Sequence, residues 1–523
     1  MELARNIYRA FEDVVGPENI SNDPSVQEGY AFQPMGGAAQ GKRFFLRPAA
    51  VILPGSTKEV QAVVKLCGRF GLRVKAFGTG YGAHAGVGSE NTVQLDLRRM
   101  NRIIDIDEKN MIAVVEPYVT FIQVMGEAMR RGLSCNVLGA GCQASMLASY
   151  TSMHGNNVLA VSQGYSGRNL LGVEWVLPTG EIIKLGAPGS GVGWFSGDGP
   201  GPSLRGVMRG GMGAMSGLGV FTKCAAHLHP WYGPAELDIK GNSPYYEAVV
   251  PPNFEYHICE FPTWEAFGEG MSKVGAAGLA FGLQKTGGPG SVGNCVTGNN
   301  NEFYDRKMKG GFDTPWKSFC IVMAATSTAE HDWQVKSLNK ILEETGGKIA
   351  EIGEDPEWKN RDFLTMIKSC FIPRLAFRPT GTFGVDGMIG MDTADQMALG
   401  LIDDEAHFKK WTKTGCIMDN GDLNNWAVTY EGSHFALMEC GWQFSSIEES
   451  SWKTYQKMTA EGYDIVFNKP YCNSWNVPGV EKLKRAGPVC MNFPRWMREV
   501  KRALDPQEVS DPTLYITVEK GEI

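Results

Sequence analysis

No stretch of the 523-residue chain approaches the eighteen or so consecutive apolar residues of a membrane-spanning helix. The opening Met-Glu-Leu-Ala-Arg-Asn lacks the basic-then-apolar order of a secretory signal, so the expected location is cytoplasmic. Cysteine occurs 12 times, never as C-x-x-C or C-x-x-C-H, which excludes a written iron–sulfur, zinc-ribbon or attached-haem site and leaves reduced, mostly buried thiols. Neither sign of charge dominates: 50 Lys and Arg stand against 57 Asp and Glu, for a net charge of −7. Basic doublets such as Arg98-Arg99 and Arg130-Arg131 are isolated, so the chain has no nucleic-acid footprint. A Walker A loop, an H-E-x-x-H helix and a G-x-S-x-G elbow are all missing, which removes the usual nucleotide-hydrolase, metalloprotease and serine-hydrolase readings.

What the chain has in excess is glycine, 65 residues or about 12% against an ordinary 7%, without the triplet period of collagen. From Ala49 onward the elements are legible. A strand at 49–53 leads to Ser56-Thr-Lys-Glu59, a capping box opening a helix with Val60, Val63, Val64 and Leu66-Cys67 on a 3.6-residue rhythm, and a strand follows at 73–77. Strands are expected at 92–96, 102–107, 111–116, 170–177, 182–185 and 220–228, with a helix at 121–131. Past His229-Pro230-Trp231 glycine thins into helices at 332–344, 358–369, 404–412 and 450–461, alternating with strands at 320–324, 385–389, 426–430 and 435–440. The last segment, 493–506, reads as an amphipathic helix stopped by Pro506.

Phe77-Gly78-Thr79-Gly80-Tyr81-Gly82-Ala83-His84-Ala85-Gly86-Val87-Gly88 follows a strand directly. Five glycines in that run permit positive φ and let backbone N–H groups converge, as a loop cradling a pyrophosphate requires; a plain surface loop is the competing reading. Gly139-Ala-Gly-Cys-Gln-Ala144 satisfies G-x-G-x-x-A, but its preceding strand is weak and no acidic residue lies near 20 positions on, so it is set aside as a dinucleotide fingerprint. Ser216-Gly217-Leu218-Gly219-Val220-Phe221-Thr222 is a small-residue turn entering a strand.

Taken in order, these motifs resemble the FAD-binding flavoproteins of the vanillyl-alcohol oxidase and p-cresol methylhydroxylase superfamily, the FAD-linked oxidases. The series runs through Arg47-Pro48, Glu59-Val60, the glycine loop, Gln94-Leu-Asp-Leu97, Asn101-Arg-Ile103, Val115-Glu-Pro117, Glu174 to Glu181, and Gly217 to Thr222, covering roughly 45–230. The resemblance implies an α+β chain: a two-subdomain FAD-binding domain at 1–230, an α+β cap or substrate domain at 231–485, and a C-terminal segment at 486–523 returning to the first domain. It further implies that Phe77, Gly78, Thr79, Gly80, Tyr81, Gly82 and Ala83 hold FAD, that Pro117, Ser145, Ser149 and Gly155 line it, and that Gly219, Val220 and Phe221 lie against one end. Tyr118 stands where the family often has glycine. One branch attaches its flavin through a histidine in the glycine loop; Tyr81 holds the corresponding position with His84 three residues on, and non-covalent FAD is the expectation. Tyr81 also resembles the phenolate-binding tyrosine of the phenol-oxidising branch.

The metal-binding G-H-x-G-D-G-N-x-H segment of the hydroxy-acid branch has no counterpart, and no metal is expected; His434 and Glu439, at odd spacing in a strand, would point to opposite faces. In the cap, Pro373-Arg374-Leu-Ala-Phe-Arg378-Pro379 is extended and puts Arg374 and Arg378 on one face, a candidate carboxylate clamp, against the reading of plain surface arginines. His434 is the first candidate base, with Tyr81 or Tyr430 orienting a phenol or hydroxyl. The expected function is hydride transfer from an alcohol-type carbon of a hydroxy acid, aromatic alcohol or phenol to flavin, with electrons passing to a separate acceptor, an iron–sulfur or electron-transfer partner protein. A flavin-carrying electron-transfer subunit and an ether-lipid-synthase-like transferase are the alternatives. A small-molecule substrate and a homo-oligomer complete the expectation.

Overall fold

The computed structural model describes residues 3–31, 46–80, 85–137, 141–152, 155, 157–186, 203–209, 213–242, 246–285, 299, 301–302, 305, 308–309, 315–368, 382–419, 425–445, 448–469, 480–512 and 515–518; for 382–391, 425, 480 and 481 it describes the backbone alone.

A strand that alternates apolar and polar residues before a helix with an apolar stripe dictates a sheet with one face on the helix. That is the first layer. Ser56 Oγ accepts from the N–H of Glu59 at 3.2 Å while the Glu59 carboxylate accepts from Gly55 N–H at 2.9 Å, fixing the start of helix Thr57–Phe70, and Gly71 at φ +64° ends it. Val60, Val63, Val64 and Cys67 are all fully buried. They pack on Val74, Val93 and Leu95, the inward residues of a sheet ordered Ile20–Ser21, Val51–Ile52, Thr92–Asp96, Arg73–Phe77, whose last three strands are parallel. Lys75, Gln94 and Asp96, the alternate residues, therefore occupy the opposite face.

The second sheet is antiparallel throughout, ordered Ile103–Asp107, Ile112–Val115, Val220–His227, Leu170–Val176, Ile182–Leu185. Val220 and Val176 belong to the first core, Phe221 and Trp175 to the second, so these two strands join the layers through their alternating faces.

In the second half of the chain, Gly282–Lys285, Ser318–Ala324, Phe254–Glu260 and Lys348–Ile349 form one antiparallel sheet and Thr382–Asp392, Phe435–Phe444 and Asn425–Tyr430 another. Trp426 Nε1 donates to Gln284 Oε1 at 2.9 Å and ties the two sheets edge to edge. Helices Trp264–Ala276, Thr328–Thr345, Ala394–Thr412 and Glu449–Phe467 bury Leu283, Ile321, Met438 and Trp442 on one face. On the other face Tyr256, Ile258 and Val322 share a core with Val158 and Leu159 of the first half.

Helix Phe493–Leu504 ends where expected, and the chain then returns to the first sheet. Val74 N–H donates to Val509 O at 2.7 Å and Asp511 N–H to Val74 O at 3.0 Å, so 509–511 extends that sheet beyond Arg73–Phe77. Among the described residues no helix is long and apolar enough to cross a membrane.

Candidate active site

The glycine-rich loop begins at the end of a parallel strand, where no further ladder partner constrains the backbone. Gly80 takes φ +69°, with its α-carbon against the Phe77 ring: an added Cβ would lie 2.4 Å from that ring. Thr79 Oγ1 accepts from Ser145 N–H at 3.2 Å, and Ser145 Oγ donates to Pro117 O at 2.5 Å while accepting from Ala148 N–H at 3.1 Å. An added Cβ on Gly78 would meet Ser145 Cβ at 3.4 Å. The three segments 77–80, 117 and 145, far apart in sequence, thus meet at one point.

From Ser145 the short helix Met146–Thr151 carries the seam to Ser149 and Gly155. Gly155 O accepts from both N–H and Oγ of Ser166, at 2.9 and 3.0 Å, and an added Cβ there would fall 1.7 Å from Ser166 Oγ. Glycine at this position is set by packing. Gly219, at φ +91°, donates its N–H to Ser510 Oγ at 2.7 Å, and an added Cβ would meet Val176 O at 2.3 Å. Phe221 stacks on Trp175 at 4.9 Å and Val220 is buried. Gly219, Val220 and Phe221 are therefore held by the two cores and the returning C-terminal segment. Tyr118 keeps its N–H bonded to Met100 O at 2.9 Å and is half-buried.

The seam continues into the cap. Tyr165, next to Ser166, makes an edge-to-face contact with Tyr430 at 6.0 Å, and Tyr430 stacks on Phe435 at 4.7 Å. Residues paired across an antiparallel ladder share a face, so Tyr430 and Phe435, Val428 and Leu437, and Trp426 and Glu439 line the side of this hairpin that rests on 160–165. Glu439 is the one carboxyl in that row of six. Burial pushes it up to about 7. Its residue keeps part of its surface in reach of water although protein surrounds the carboxyl densely. Burial, with Glu439 and Tyr165 adding to it, drives the Tyr430 phenol well above its ordinary range, so it stays a neutral donor.

His434 does not sit in the strand. It is exposed in the four-residue turn 431–434, because the strand begins at Phe435, and Glu431 and Gly432 N–H of that turn donate to Ala160 and Val161 O. The strand expected at 435–440 begins at Phe435, so the conditional reading that put His434 in it with Glu439 does not apply. An exposed turn imidazole has no wall to orient a substrate against it. Among the described residues no group of three His, Cys, Asp or Glu is placed to hold a metal ion. Tyr81, Gly82, Ala83 and His84 of the glycine loop, and Arg374 and Arg378 of the extended cap segment, lie outside the described residues.

Three side chains of the site escaped the sequence reading. Glu439 was weighed only as a partner for His434; the signal was a carboxylate in an otherwise apolar period-two row. Lys75 and Gln94 are fully buried at paired positions of neighbouring parallel strands, and Lys75 Nζ and Gln94 Oε1 have no hydrogen-bond partner. The loop that opens at Gly78 and turns left-handed at Gly80, beside Pro117 and Ser145, fits the backbone cradle that a cofactor such as FAD requires, whereas Lys75 and Gln94 are sealed from it.

Residues 48–186 match the family model described as an FAD binding domain. An uncharacterized FAD-linked oxidoreductase of Mycobacterium tuberculosis is 30% identical over 178 residues, 34% of this chain and 37% of that relative, so the match spans just over a third of the relative's length. The 4-ethylphenol oxidase of Gulosibacter chungangensis, solved with isoeugenol, superposes with a TM-score of 0.73 at 19% identity, over 98% of this chain and 97% of that one. p-Cresol methylhydroxylase, solved with substrate bound, gives a TM-score of 0.73 at 16% identity, over 97% and 96%.

Proposed function

Because the chain belongs to the FAD-binding flavoproteins of the vanillyl-alcohol oxidase and p-cresol methylhydroxylase superfamily, we propose that it oxidises an alcohol-type carbon of a small organic molecule, with Glu439 as the base. FAD, when bound, supplies the hydride acceptor. The protein's part is to hold the substrate, take its proton and keep water away. The observation that carries the reading is a single carboxyl, raised to about 7 by burial, in the apolar face of the cap hairpin that rests on the first half of the chain. A carboxyl tuned there is ionised for half its population near neutral pH and is a far better base than an ordinary glutamate.

Trp426, Val428 and Leu437 beside it favour an aromatic or otherwise apolar substrate body. Trp426 is locked by Gln284, so its ring is a fixed wall. Tyr430, neutral and buried in the same face, is a proposed contact for a substrate oxygen. An aromatic alcohol or phenol therefore fits the described face better than a small hydroxy acid. Arg374 and Arg378 remain our proposed carboxylate clamp for an acidic substrate, and Tyr81 a proposed phenol contact. Electrons leave to oxygen or to a partner protein, which oxygen uptake during turnover distinguishes.

The test is Glu439→Gln. It keeps the shape and removes the base, and kcat/KM is expected to fall about 100- to 10,000-fold with the flavin retained. A fall of less than threefold removes Glu439 from the chemistry. Alanine at Arg374 and at Arg378 is expected to raise KM for acidic substrates and leave neutral ones alone; unchanged turnover of both classes ends the clamp.

A further inference from the structure

Between strands Asn425–Tyr430 and Phe435–Phe444 the chain turns through Glu431, Gly432 and Ser433, at φ +51°, +68° and +64°. Two of the three are not glycine, and a left-handed backbone at such residues persists only where the surroundings hold it. This tip is gripped from two sides. On helix Trp264–Ala276, Met271 O accepts from Ser433 Oγ at 2.9 Å, and Gly275 lies so close that an added Cβ would fall 1.9 Å from that hydroxyl. On the first half of the chain, Ala160 and Val161 O accept from the N–H groups of Glu431 and Gly432 at 3.1 and 2.8 Å.

Arg168 adds a side-chain contact on this second side. Its guanidinium carbon lies 5.7 Å from the centre of the Tyr165 ring and 5.8 Å from that of Phe435, and its Nε stands 3.7 Å from Glu431 Oε1. One cation therefore spans a ring of the first half and a ring of the hairpin. Tyr165 is a firm anchor: its OH donates to Arg209 O at 2.5 Å, and the buried Asn169 amide donates to Tyr165 O at 3.1 Å and to Gln163 O at 2.7 Å. The ion pair to Glu431 is long and half exposed and contributes little, so the stack on two rings is the stronger part. Phe435, Leu437 and Glu439 follow at alternate positions on one face of the strand, with about 13 Å between the first and the last.

We propose that Arg168 is a positioning residue for Glu439: by bridging Tyr165 and Phe435 it seats the hairpin tip on the first half of the chain, and so fixes where the Glu439 carboxyl stands and how far water reaches it. The inference rests on Glu439 being the base. It makes the surface contact at one end of the strand a determinant of the chemistry further along it.

Three readouts on the holoenzyme test it, in Arg168→Ala and Arg168→Lys. Amide hydrogen exchange at Glu431 and Gly432 reports the seating of the tip directly. It is expected to be about 10-fold faster in Arg168→Ala and partly restored in Arg168→Lys, which keeps the cation without the planar stack. With p-hydroxybenzyl alcohol as reductant, kcat is expected to fall about 3- to 30-fold in Arg168→Ala while KM stays within about twofold. The pH limb of kcat/KM, near 7 in the parent, is expected to move down by about half a unit or more, because a looser tip lets water reach the carboxyl. Unchanged exchange at 431 and 432 overturns the proposal. So does faster exchange with kcat, KM and the pH limb all unmoved, since Arg168 would then pin a surface turn and nothing more. Glu439→Gln separates the two failures. With its turnover lost and the Arg168 variants unmoved, this inference alone falls; with its turnover intact, the base reading falls.

Discussion

At the scale of single residues, the account turns on what burial does to two ionisable groups of opposite sign. Glu439 is raised to about 7 because burial takes its carboxylate from water, whereas Lys75 is lowered because the same loss of water outweighs the attraction of Asp511. The pH dependence follows from the sign. A base works deprotonated, so kcat/KM is expected to rise with pH along a limb centred near 7, and the limb should vanish in Glu439→Gln. The same shift bears on stability in the opposite sense. With the folded value above the unfolded one, the folded state holds the proton more tightly, so this group's contribution is full below about 4.5 and declines as pH rises towards 7. Thermal melts of parent and Glu439→Gln should therefore converge at pH 4.5 and diverge at pH 8, with the glutamine variant the more stable at the higher pH. Melting curves that stay parallel across that range would contradict the assignment.

At the scale of elements, the C-terminal return is the device that couples distant parts of the chain. Asp505 accepts from the N–H groups of Val509 and Ser510 at 2.8 and 2.9 Å and pairs with Lys501 at 2.6 Å, with both side chains buried. Lys501 also holds Gly217 O, and Ser510 holds Gly219 N–H, so one turn after the last helix fixes both the sheet edge and the 217–219 loop. Breaking a buried, fully bonded pair from one side costs about 3–5 kcal/mol. Asp505→Ala is expected to lower stability by an amount of that order, measured by denaturant unfolding, and to weaken FAD retention with it. A loss below about 1 kcal/mol would show that the return segment is a passenger.

Much of this architecture was legible because period and cap agree. Helix Thr57–Phe70, with Ser56 before it and four buried residues at helical spacing, and strand Thr92–Asp96 match the sequence expectation to within a residue or so. Helix Ala394–Thr412 was expected only from Asp404. Its first half, Ala-Asp-Gln-Met-Ala-Leu-Gly, buries Ala394, Met397 and Ala398 with two small residues and a glycine that blur the stripe. Pro24–Ala31 passed unread because it buries only Ala31 and gives no period to follow, whereas Arg5–Val15 was missed although Ile7, Tyr8, Phe11, Val14 and Val15 recur at helical spacing. The order of cofactor motifs was readable, and residues 77–80, 117 and 145 do meet. The base was not. The strand expected at 435–440 already leaves His434 in the turn before it, and preferring Glu439 as our proposed base needs the pairing with Trp426, a tertiary fact.

At the scale of the whole molecule, the cofactor seam and the cap face form one connected path, from Gly78 through Ser145, Gly155 and Tyr165 to Tyr430 and the row that contains Glu439. The fold is shared over nearly its full length with 4-ethylphenol oxidase and p-cresol methylhydroxylase. The glycine excess takes its meaning at this scale too. Gly80 allows a left-handed turn at a strand end, and Gly155 gives the room that Ser166 takes. The most direct test is anaerobic: the purified protein is mixed with a panel of aromatic alcohols, phenols and hydroxy acids across pH 5–9 while the flavin absorbance is followed. The account predicts that the parent arrives yellow with FAD, that an aromatic alcohol or phenol bleaches it with a rate rising through about pH 7, and that Glu439→Gln bleaches at least 100-fold more slowly. A protein without flavin absorbance, or a Glu439→Gln variant reduced as fast as its parent, would contradict it.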